Sequence, residues 1–225
     1  FYDQNLTECP SCKTPDAFAN FIPYNPLDWI YDEENFPNIF TCHLKHPNTG
    51  TRLLFEISDR RNDINELYTF LMALKATGCR MVGFNNVGYD YPVLHFIIEN
   101  YWSGLTITEI HNRSAQIIAT PWENRYSNVI WDNDVHITQI DLFKIHHFDN
   151  KSRRTSLKLL EFNMKMDSIE DLPFEPGTVL NNLQKDILIS YGDHDVDATE
   201  LFYFETLEMI EFREQLGEKY GRNFL

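Results

Sequence analysis

Apolar positions along this chain fall into short strand-like runs first and helical runs afterwards. Trp29 to Asp32, Ile39 to Leu44 and Arg52 to Ile57 are rich in β-branched or aromatic residues, and "FPN" and "HPNTG" separate them. That order predicts a three-strand meander. In "NDINELYTFLMALKATG" the period changes. Leu67, Phe70, Leu71 and Leu74 share one helical face, and Gly78 stands where a C-cap belongs. "CRMVGFNN" predicts a fourth strand ending in a polar turn, and "YPVLHFIIENYW" predicts a helix. Residues 105–118 read as an amphipathic helix and Val135 to Phe143 as a fifth strand. A basic loop, "DNKSRRTS", leads into a helix that starts at "SLKLLEF". After the connector "LPFEPG", Leu180 to Gly221 is nearly all helical in pattern, with Gly192 a joint. Residues 1–26 are rich in Pro, Asn and Asp, lack periodicity, and read as an irregular lead-in to a domain over 27–225. Hairpin strands followed by alternating helix and strand predict an α/β fold, a mixed sheet with helices on its faces.

Composition narrows this picture. The chain has 225 residues, 43% of them hydrophobic, enough for one large domain with a real core. No run approaches the roughly 18 to 20 apolar residues of a membrane span. The first residue is Phe1 and not Met, so the lack of a signal peptide carries little weight. Four cysteines are too few for a disulfide framework, which makes a reducing cytoplasm the expected location. "CPSC", Cys9 to Cys12, has the spacing of half a zinc site. Cys42 with His43 or His46 would complete it only if the N-terminal segment folded back, so free thiols are the favoured reading. The net charge of −15, from 34 acids and 19 bases, repels phosphate at long range unless clustered acids hold cations.

The acids cluster in three places. "LDWIYDEENF" puts Asp32 and Glu34 on one side of a strand and Glu33 on the other. Two carboxylates on one face repel, and a divalent ion reverses that cost. In "GFNNVGYDYPVL" a strand ends, a turn follows and Asp90 opens a helix, where an acid is also a common cap. In "ISYGDHDVDATELF" Tyr191 and Asp195 are four apart and share a helical face. Asp193 and Asp197 fall on other faces and read as solvated acids.

In that order, D-x-E, N-x-x-Y-D and Y-x-x-x-D, these motifs resemble those of the DEDD superfamily of 3′-to-5′ exonucleases, in its tyrosine-bearing subclass. "YDEENFPNIF", "GFNNVGYDYPVL", "DLFKIHHFDNKSRRTSLKLLEF" and "YGDHDVDAT" look most like the proofreading domain of a phage-type DNA polymerase, over about residues 27 to 215. The resemblance implies a ribonuclease H-like mixed sheet, a three-strand antiparallel meander plus parallel strands with helices on both faces. It implies two Mg2+ or Mn2+ ions held by Asp32, Glu34, Asp90 and Asp195, clamping an in-line displacement at phosphorus. Tyr191 would contact the attacking water. A free tyrosine titrates near pH 10, which favours orienting the water over removing its proton. The implied substrate is the 3′ end of single-stranded or frayed DNA, and the implied partner a polymerase domain outside this chain. A phage origin would place it in the host cytoplasm.

Phosphate contacts are expected from Lys151, Arg153, Arg154 and Lys158, and contacts to bases from Phe36, Asn86, Tyr89 and Tyr91. Two residues depart from the family pattern. Glu33 replaces an apolar residue, so either the strand is leaving the core there or Glu33 has a basic partner. Asn35 replaces a small hydroxyl residue. A standalone exoribonuclease, a non-catalytic replisome scaffold and a zinc-binding interaction module are the alternatives.

Overall fold

The structure is a computed structural model, and it describes residues 25–147, 155–221 and 224–225. Nearly all of the N-terminal lead-in, with Cys9 and Cys12, lies outside the described residues, as do Lys151, Arg153 and Arg154.

A five-stranded sheet carries the fold: β1 (Asp28–Phe36), β2 (Ile39–His46), β3 (Thr51–Ser58), β4 (Arg80–Gly83) and β5 (Thr138–Asp141), in the order β3-β2-β1-β4-β5. β2 pairs antiparallel with both β1 and β3, and β1, β4 and β5 are mutually parallel. This is the ribonuclease H-like arrangement. One face buries Tyr31, Phe40, Cys42, Leu44 and Met81 beneath α1 (Ile64–Thr77), α2 (Asp90–Asn100) and α3 (Ile107–Ala119). The other face buries Ile30, Val82 and Ile140 against α4 (Leu142–His147) and α6 (Asn182–Tyr220), with α5 (Leu157–Met164) beside α6. The alternation of Ile30 and Tyr31 between two cores is the period of a strand covered on both sides.

The elements differ from the sequence expectation at their ends. β1 continues four residues beyond Asp32, because β2 follows through the two-residue turn at Pro37 and Asn38 and pairs as far as Phe36↔Ile39. The Asn38 amide exchanges two bonds with the backbone of Leu180 (2.8 and 2.9 Å), tying this hairpin to the residue two before α6. The expected fifth strand is cut to four residues, and "LFKIHH" turns into α4. The fourth strand likewise ends at Gly83, before Phe84 and Asn86. Gly78 does cap α1 in the left-handed conformation, at φ 69°.

Gly192 is not a joint. α6 runs unbroken for 39 residues, about 58 Å at 1.5 Å per residue. The glycine lets α6 approach β2: a Cβ there would lie 2.5 Å from Nε2 of His43. His43 cannot yield, being buried with its ring nitrogens bonded to Asp193 and Thr41, each at 3.0 Å. One turn later Lys45 meets Asp197 (2.7 Å) and Glu200 (2.5 Å), and Arg52 also pairs with Asp197. Asp193 and Asp197 are thus pairing residues, not free solvated acids. Gly192→Ala is expected to destabilise the protein by about 1–3 kcal/mol, the range for overpacking. Urea unfolding measures this, and a variant as stable as the parent would show that α6 can shift away from β2.

Candidate active site

The centre begins with β1. The strand's alternation sends Asp32 and Glu34 toward α6 and Glu33 toward α2 and α3. α6 returns Asp195 to the same place from more than 160 positions away. One carboxylate oxygen from each of Asp32, Glu34 and Asp195 lies within 4.8 Å of the others. Glu34 and Asp195 are buried and Asp32 is half-buried. Among the described residues no Lys or Arg pairs with any of the three.

Asp90 faces these acids from the first position of α2. It stands outside the three-acid cluster but close enough to push on Asp32 and Glu34. Its turn is built on Asp141, at the end of β5. The Asp141 carboxylate accepts the backbone N–H groups of Asn85 (3.0 Å) and Val87 (3.2 Å). Asn85 adopts φ 62°, a left-handed conformation that asparagine tolerates better than most residues. Sequence reasoning passed over Asp141. Its signal was an acid closing the apolar run of "ITQID", the same pattern that singled out Asp32.

Burial and mutual repulsion raise every one of these carboxylates. Burial is the first cause for Asp32, followed by Asp90, Asp195 and Glu34. For Glu34 burial again leads, then Asp195 and Asp90. Burial pushes Asp90 and Asp195 up to about 7. The Tyr191 hydroxyl, one turn away on α6, partly offsets the rise at Asp195. The same burial and the charges of Asp195 and Glu34 hold the Tyr191 phenol far above its ordinary value, so it stays a donor.

A second group missed in the sequence adjoins Asp195. Glu161 of α5 is buried, accepts the N–H of Glu170 (3.2 Å), and lies 3.4 Å from Nε2 of His194. Glu161, His194 and Asp195 together offer donor atoms within 4.8 Å of one another. His194, next to Asp195 in "GDHDVD", was the available clue.

Glu33 fits neither expectation. It is only 5% exposed, so the strand has not left the core, and neither carboxylate oxygen has a hydrogen-bond partner. Burial and then the charge of Asp90 raise it well above the carboxylate range, so its neutral form is favoured. Asn35 faces His111 of α3, 3.3 Å from its ring nitrogen.

Burial corrects several expected nucleic-acid contacts. Phe36 is 2% exposed and sits edge-on to Phe174. Asn86 is fully buried and bonds to Gln139 at 2.9 Å. Tyr91 is buried, and its hydroxyl accepts the N–H groups of His136 and Ile137. Tyr89 is half-buried and bonded to Ser114 at 2.7 Å. Lys158 is exposed and paired with Asp171. Cys42 lies fully buried beneath the α1–α3 layer, and its neighbour His43 points to the other face, so the two cannot share an ion.

No protein-family model and no curated protein matches the chain. Among solved structures, the family B DNA polymerase from the hyperthermophilic archaeon Pyrobaculum calidifontis matches with a TM-score of 0.49 and 15% sequence identity. That match covers 80% of this chain and 24% of the polymerase chain, so the chain spans about a quarter of that structure's length.

The raised carboxylates give a signed prediction for the ion-free protein. Asp90 and Asp195 bind protons more tightly folded, at about 7, than unfolded, near the ordinary 3.8. Their contribution to stability is fully present below about pH 4 and is lost as pH rises through 7. The melting temperature of chelator-treated protein should therefore fall between pH 5 and pH 8, and millimolar Mg2+ should flatten the decline. Mg2+ added at pH 6.5 in weak buffer should release protons. A melting temperature independent of pH, with no proton release, would show that these carboxylates neither share a charge problem nor share an ion.

Proposed function

We propose that this chain is a metal-dependent 3′-to-5′ exonuclease that removes nucleoside monophosphates from single-stranded or frayed DNA ends, as a proofreading domain of a DNA polymerase. One observation carries the reading: three carboxylates from β1 and α6 meet within 4.8 Å, with no Lys or Arg paired to them among the described residues. Hard oxygen donors at this density suit Mg2+ or Mn2+. Asp32, Glu34 and Asp195 would hold such ions, with Asp90 alongside. Bound divalent ions supply charge neutralisation at a scissile phosphate and a more acidic water. Strand polarity and the preference for DNA rest on the resemblance of the three motifs.

The chain's own residues divide the remaining work. Glu34 and Asp195, held in low dielectric, stay poised to give up protons when a cation arrives. Tyr191 keeps its hydroxyl proton and lies one helical turn from Asp195. That places a neutral donor at the edge of the acid cluster, where it can orient water and cannot serve as a ready base. Asp141 fixes the Asn85–Val87 turn and thereby the position of Asp90.

The test is degradation of 5′-end-labelled single-stranded DNA with Mg2+, with the products resolved by length. A ladder shortening from the 3′ end is expected, and shortening from the 5′ end, or internal cuts, would overturn the reading. Asp32→Ala should abolish cleavage while leaving the ion-free protein folded and no less stable, because it removes like-charge repulsion. Tyr191→Phe should cost roughly 10- to 1,000-fold in rate, the scale of losing a preorganised donor. Its half-saturating Mg2+ concentration should stay unchanged, whereas Asp195→Asn should raise that concentration. If Tyr191→Phe shifted the Mg2+ dependence as far as Asp195→Asn, the tyrosine would belong to the ion site and not to the water.

A further inference from the structure

A different donor set occurs at the opposite end of the parallel strands. α2 starts beside the carboxylates and runs back along the sheet, so its last turns stand over the N-terminal ends of β4 and β5. His95 and Glu99, four apart, lie on one face of α2. His136 arrives from the segment just before β5. The three offer donor atoms within 4.8 Å of one another. The two imidazole rings are stacked, with centroids 5.1 Å apart and planes 18° apart. A cleft of about 610 Å³ borders them, with room for water beside the donors.

Both histidines are held from behind. The backbone N–H of His136 donates to the buried Tyr91 hydroxyl at 2.7 Å, which fixes where that imidazole starts. Nε2 of His95 bonds to the carbonyl oxygen of Asp134 at 3.1 Å, which sets the plane of its ring. Glu99 Oε1 is 2.5 Å from Nε2 of His136. Two imidazoles and one carboxylate form a donor set for a borderline ion and not for Mg2+, which prefers oxygen alone.

From this geometry we infer that His95, Glu99 and His136 bind a zinc-type divalent ion at a site separate from the carboxylate centre, with water completing the coordination. The ion takes the place of the direct contact between His136 and Glu99. One residue opposes it. The exposed Lys75 ammonium lies 2.9 Å from Nδ1 of His136, and its positive charge must swing aside when the ion enters.

The experiment uses the full chain with Cys9→Ser, Cys12→Ser and His194→Gln, so that neither the N-terminal thiols nor the Glu161–His194–Asp195 group can contribute an imidazole or thiol site. Zn2+ is titrated by calorimetry in saturating Mg2+, which occupies the carboxylate centre. One equivalent of Zn2+ should bind. His136→Gln, which keeps the backbone N–H to Tyr91, should weaken that event by about 100-fold or more, and His95→Gln should do the same. Lys75→Gln should tighten it by about fivefold by removing the opposing charge. Asp195→Asn should leave it unchanged. Circular dichroism of each variant checks folding. The tightening in Lys75→Gln requires an intact fold, so it reads the site even if a histidine variant fails to fold. Zinc binding that survives both histidine substitutions, or that disappears in Asp195→Asn, would overturn the assignment.

Discussion

Like charges held together against their repulsion are the constraint around which this fold is arranged. Asp32, Glu34 and Asp195 do not attract one another, so something else must press α6 onto β1 and β2. Polar and charged pairs on either side of Asp195 do this. Lys45 and Arg52 of the hairpin strands take Asp197 and Glu200, and His43 takes Asp193. The helix therefore alternates between a repelling contact at Asp195 and attracting contacts on either side. Gly192 allows the backbones to close, because no side chain stands between α6 and the His43 ring.

The other end of the sheet uses the opposite solution. Asp28, fully buried at the start of β1, is gripped by two nitrogens of Arg80 (2.5 and 2.7 Å) and by the Tyr203 hydroxyl (2.5 Å). Arg80 also pairs with Glu214, further along α6. This compensated carboxylate joins β1, β4 and α6. The uncompensated ones lie along the same strand only four and six positions later. The acid held by Arg80 serves the fold, and the three that no described Lys or Arg pairs with mark the site.

Much of this was legible in the sequence because it depends on local pattern. Period-two runs with short turns specified the meander, and the placing of Asp32, Glu34, Asp90, Tyr191 and Asp195 on strands and helices followed from spacing alone. What was not legible depends on contacts between distant residues. Nothing near Gly192 says that His43 lies against it, so the glycine reads as a break. Asp141 closes an apolar run as Asp32 does and Glu161 lies in an ordinary amphipathic stretch, and only the folded chain brings them beside Asp90 and Asp195. Phe36 and Asn86 flank the acids in sequence, yet both face inward. Their proximity along the chain is real, and their exposure is not.

Tyr191 and Asp195 belong to a helix that continues 25 residues past Asp195 to Tyr220, about 37 Å of unbroken backbone. β1, at nine residues, is about 30 Å long. The helix's extra length is fastened and not free: Phe202, Tyr203, Leu207 and Ile210 are buried along it, Arg213 bonds the carbonyl oxygen of Ile145, and Arg80 holds Glu214 on the helix and Asp28 on the sheet. The position of Asp195 is therefore set by contacts spread over about five helical turns beyond it, so a loosened contact near Ile210 or Glu214 is felt at the acids.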